Sequence, residues 1–156
     1  MNDEKITINI NSIKSLYLEI FFNDTKLATA TGFLVQKDNN IYLITNRHVV
    51  SERNNETNEC LDKKYSAIPN KLKICFPYFE NNNYIWKNIS WDLYDKEEKP
   101  IWLEHPIYKG NVDVVAINLG TFDRSTFLHC LESEYKPIVT ESVYIIGYPF
   151  GFYVNP

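Results

Sequence analysis

No apolar run in this sequence approaches the roughly 20 residues that a membrane-spanning helix needs. The opening MNDEKITINI is acidic and has no basic stretch leading into an apolar one, so it does not read as a secretory signal. These two absences set the expectation of a soluble, cytoplasmic protein with no membrane partner. Cysteine is scarce. Cys60, Cys75 and Cys130 are odd in number and widely spaced, which excludes a disulfide framework and a CxxC zinc pattern. Basic clusters are missing too. Lysine and arginine are scattered, the net charge is -4 and the pI about 5.4, so there is no electrostatic footprint for nucleic acid. There is no HExxH and no close-spaced set of metal ligands, so neither a metal nor a cofactor is expected. Internal repeats are absent. The triplets NDT, NET and NIS match the glycosylation acceptor, but asparagine is abundant enough to produce them by chance.

What is present is a core. Hydrophobic residues make up 44% and aromatics 15% of the chain, which excludes whole-chain disorder. Tyr, Phe, Ile, Val and Thr are plentiful, and these residues suit pleated, half-buried surfaces. Strands are expected at SLYLEIFF (15–22), KLATATGFLVQK (26–37) and IYLITN (41–46), with turns at Asn23-Asp24 and at DNN (38–40). Gly32, inside the second strand, marks a bulge or a close backbone approach. RHVVSER is one helical turn, and 51–70 reads as a long polar loop. Further strands are expected at KLKICFPYF (71–79, stopped by Pro77 and ENNN), YIWKNISWDLYD (84–95), IWLEHP (101–106), VDVVAINLG (112–120) and IVTESVYIIGYP (138–149). DKEEKP (95–100) is a solvated turn, and 121–137 a connector with a short helix. VDVVAINLG is apolar apart from Asp113, the pattern of a central strand. Many short strands between turns argue for an all-β barrel or sandwich.

Two ionisable residues sit at the edges of apolar strands: His48, after YLITNR, and Asp113. Burying either alone is costly, whereas a pair satisfies both. The carboxylate would accept the imidazole Nδ1–H and leave Nε2 free as a base, two thirds of a catalytic triad. On the residues alone, a histidine after a strand is more often a surface or satisfied core residue. An aspartate opening a strand is as often a turn or cap residue. Arg47 is expected to point to solvent and His105, before Pro106, to lie in a turn. Trp86, Trp91 and Trp102 are expected to pack rather than form a ligand platform.

The stretch TATGFLVQKDNNIYLITNRHVV resembles the trypsin-like serine peptidases in their bacterial branch, where such a stretch ends at the catalytic histidine. HP followed by DVVAINL (105–119) is similar to the segment that carries the catalytic aspartate. VYIIGYPFG (143–151) resembles the first strand of the family's second barrel and the glycine-rich turn after it. The three motifs occur in the family's order and span roughly Ser15 to Gly151. The resemblance implies His48 as general base and Asp113 as its orienter, with a peptide or protein as substrate. It also implies two six-stranded β-barrels with the active site between them. On that pattern 1–120 is the N-terminal barrel, 121–137 the connector, and 138–156 the first strand and turn of an incomplete second barrel.

The family's nucleophile follows in a GxSG-type motif, and none of the five glycines here opens one. Ser125, Ser133, Ser142 and Cys130 stand in no nucleophile context. The expectation is therefore the front part of a longer peptidase, since such all-β domains run to roughly 200–250 residues. The chain alone is expected to be inactive, completed by a further C-terminal segment or by a partner chain. The rival reading is a non-catalytic barrel that binds peptides or proteins.

Overall fold

The first hairpin shows how turn and strand signals combine. β1 (Ser15–Phe22) and β2 (Thr25–Lys37) are joined by Asn23 and Asp24, and Asn23 takes the left-handed conformation at φ 53°. The turn is tied down from a distance. Asn23 N–H donates to Asn70 Oδ1, and Asn70 Nδ2 donates back to Asn23 Oδ1, each at 2.8 Å. A second turn, with Asp38 at φ 53°, leads into β3 (Asn40–Thr45). In this computed structural model, residues 13–63, 65–80, 83–121, 136, 138–143 and 145–148 are described. A short helix, α1 (Arg47–Ser51), follows β3, and a long segment without strands leads to β4 (Lys71–Glu80). Then come β5 (Asn83–Asp92), β6 (Trp102–Glu104) and β7 (Val115–Asn118).

The fold is all-β: among the described residues there is a single antiparallel sheet of seven strands in the order β5-β4-β1-β2-β3-β7-β6. The expected barrel is closed and six-stranded; the described residues form seven strands whose ladder does not close. The sheet is nevertheless curled. Its two outer strands, β5 and β6, would stand roughly 30 Å apart if the sheet were flat. Yet Ile101 N–H donates to Leu93 O at 3.1 Å, and Tyr94 bridges Pro100, so the chain just after β5 meets the chain just before β6. Only a rolled sheet brings both edges to one place.

The roll has an inside. Alternate residues of four strands point there and are almost fully buried: Leu16, Leu18 and Ile20; Ile41 and Leu43; Leu72, Ile74 and Phe76; Val115 and Ile117. Val50 of α1 and Leu93 join them. Burying each such side chain contributes on the order of 2 kcal/mol. Gly32 is a close approach rather than a bulge. A Cβ there would stand 2.9 Å from Leu43 Cδ1 and 3.1 Å from Ile44 O, while the register shift between β1 and β2 falls at Ile20/Phe21.

Pro77 does not stop β4, which runs on to Glu80. The β1–β4 pairing ends at Tyr17 and Cys75, so at Pro77 the strand pairs with β5 alone, through Trp86. That is an edge position, where a missing N–H is tolerated. Residues 138–143 and 145–148 carry no strand, contrary to expectation. Instead Tyr148 packs on the outer face of β1. Its ring meets that of Tyr17 edge-on at 5.5 Å, its hydroxyl donates to Ser15 O at 2.9 Å, and its N–H donates to Thr31 Oγ1 at 2.8 Å. Most of the expected connector, with Ser125, Cys130 and Ser133, lies outside the described residues, as does the end of the chain after 148. Among the described residues no helix is long and apolar enough to cross a membrane.

Candidate active site

Strand pairing explains why residues 65 positions apart meet. β3 pairs with β7 so that Thr45 faces Val115. Continuing that antiparallel register past the strand ends sets Asp113 beside residues 46 to 48. Asp113 therefore lies two residues before β7 rather than opening it, free of the ladder. Asn46 is extended, at φ -74° and ψ 146°, and the chain turns directly into α1.

The contact is double. His48 Nδ1 lies 2.6 Å from Asp113 Oδ2, and His48 main-chain N–H donates to Asp113 Oδ1 at 2.9 Å. The second bond gives the helix start a partner. Asn46 stands at the position where an asparagine usually caps its own helix, but its side chain makes no cap bond. It turns to Asp113 instead, donating from Nδ2 to the main-chain oxygen at 3.0 Å and to Oδ2 at 3.2 Å. Asp113 supplies the acceptor that Asn46 withholds.

Burial alone would push the Asp113 carboxyl up. The His48 main-chain N–H, the nearby Asn55 amide and the His48 ring outweigh that and hold it below the usual carboxylate value. An ionised carboxylate only accepts, so the proton between the two groups sits on Nδ1. Nε2 then presents its lone pair outward. The ring is 44% exposed, and Nε2 has no hydrogen-bond partner among the described residues.

Arg47 corrects the sequence reading. Its side chain is only 13% exposed, and Nε donates to Glu104 Oε1 at 2.9 Å. Nη1 reaches Asn55 Oδ1 at 3.4 Å. The guanidinium is thus neutralised by a carboxylate rather than solvated. Glu52, which closes α1 with its N–H on His48 O, has its carboxyl pushed up by burial and by the negative charge of Asp62, against the pull of His48. His105 takes a turn role: its Nδ1 accepts from the N–H groups of Ile107 and Tyr108, and its ring stacks on Tyr108.

Asn46, Asn55, Glu104 and Glu52 were not singled out by sequence reasoning. Only Asn46 carried a signal, as a cap residue whose capping bond could have been questioned. No described serine, threonine or cysteine bonds His48 Nε2. Ser51 Oγ donates to Arg47 O, Thr45 Oγ1 donates to Thr31 O, and Ser142 is exposed. No group of three or more His, Cys, Asp or Glu side chains that could hold a metal ion occurs among the described residues. Compared with protein-family models, curated proteins and solved structures, the chain finds no match in any of the three.

Proposed function

We propose that His48 and Asp113 are the general base and its orienter in a trypsin-like serine peptidase, whose nucleophile comes from a downstream segment or a partner chain. The observation that carries this reading is the short Nδ1–Oδ2 contact, 2.6 Å, made by a ring whose Nε2 is exposed and unpartnered among the described residues. The order of the histidine, aspartate and glycine-turn motifs supports it. A second barrel then completes the cleft. In it a serine hydroxyl attacks the peptide carbonyl, Nε2 of His48 takes the hydroxyl proton and later returns it to the leaving amine, and Asp113 stabilises the imidazolium. Among the described residues the base is in place, and no serine, threonine or cysteine bonds its Nε2.

A fluorophosphonate probe tests this on the native polypeptide that carries this segment, with the 156-residue chain as control. Labelling of the former and not the latter, slowed about 10³-fold or more by His48→Ala, is the expected result. No labelling of the native polypeptide, or labelling indifferent to His48→Ala, overturns the reading and leaves a non-catalytic binding module.

A further inference from the structure

The Asp113 carboxylate receives donors from two other residues of this chain. Oδ1 accepts the His48 main-chain N–H, and Oδ2 accepts the His48 ring and Asn46 Nδ2. Two carboxylate oxygens offer about four lone-pair sites. Three donors thus come from the chain itself. Asn46 grips Asp113 twice, by the main-chain oxygen and by Oδ2. The clamp draws on the end of β3, on α1 and on the approach to β7.

We propose that Asn46 is a positioning residue that fixes Asp113, and through it holds His48 in the Nδ1–H tautomer, so that the base and orienter are assembled by this chain before any nucleophile-bearing segment engages it. This rests on the reading of His48 and Asp113 given above. A carboxylate gripped only along the edge facing the imidazole is free to turn about its own side chain. Donors on its remaining lone pairs remove that freedom, and the ring loses its alternative tautomer with it. The incoming segment then has to deliver only a hydroxyl and the oxyanion donors.

Nitrogen NMR of histidine-labelled chain tests this. His105 is the internal control, because its Nδ1 accepts two N–H bonds and its proton must sit on Nε2. In the wild type His48 carries its proton on Nδ1, and that proton is protected from exchange. Asn46→Ala speeds its exchange about fivefold to tenfold and populates the second tautomer. Asn46→Ser, which keeps a capping hydroxyl but loses the amide donors, does the same, and an unchanged His105 signal verifies that the sheet is intact in each. Unchanged His48 exchange and tautomer in both variants overturns the clamp. A wild-type His48 with its proton on Nε2 overturns the clamp and the peptidase reading together. The expected NMR responses combined with no fluorophosphonate labelling support the clamp and count against the peptidase reading alone.

Discussion

The guanidinium of Arg47 fills the space beside Gly110, where a Cβ would come within 2.8 Å of its Cζ. Arg47 cannot simply swing away, since Glu104 and Asn55 hold its nitrogens. Gly110→Ala should therefore loosen the half-buried ion pair and destabilise the fold by about 0.5–1 kcal/mol. In an Arg47→Ala background the same change should cost nothing. Urea unfolding of the four members of this cycle measures the coupling, and additive losses would refute the contact.

Gly32 offers a stricter steric test. A methyl there meets Leu43, Leu18 and the Ile44 carbonyl, two core side chains and a backbone atom that cannot step aside. Gly32→Ala should cost about 1–3 kcal/mol, lowering the melting temperature by about 2–4 °C for each kcal/mol in a domain of this size.

Acid titration should separate two carboxyl groups that act in opposite senses. Asp113 is depressed below 3.8, so its contribution to stability is present above that value and disappears as pH falls through its folded-state pKa. Asp113→Asn should remove that part of the acid transition in melting experiments. Glu52 is raised above 4.5, because burial and then Asp62 disfavour its charge, so it erodes stability as pH rises through its folded-state value. Glu52→Gln should raise the melting temperature at neutral pH and leave it unchanged well below 4.5.

The docking of Tyr148 on β1 and β2 should be measurable by removing one atom at a time. Tyr148→Phe deletes the bond to Ser15 O, at a cost of about 1 kcal/mol. Thr31→Val leaves the Tyr148 N–H without its acceptor and should cost about as much or more, since the orphaned group loses water as well. Equal melting temperatures for wild type and both variants would show that this segment does not hold to the sheet.

Much of this molecule is written in local pattern. The alternation at Leu16, Leu18 and Ile20, and again at Leu72, Ile74 and Phe76, makes strands with one oily face, because side chains of extended chain point to opposite sides in turn. Asn23 and Asp38 punctuate them because asparagine and aspartate tolerate the left-handed conformation. The spacing of His48 and Asp113 around apolar strands was likewise visible, down to the expectation that they touch. Other features depended on which distant segments the sheet brings side by side. The rolling of the strands until Leu93 meets Ile101, the edge position that admits Pro77, the ion pair that hides Arg47, and the clamp of Asn46 on Asp113 all arise from register and curvature. A sequence window cannot state these, because each partner's role is set by a residue tens of positions away, and only folding specifies which face of the chain that residue reaches.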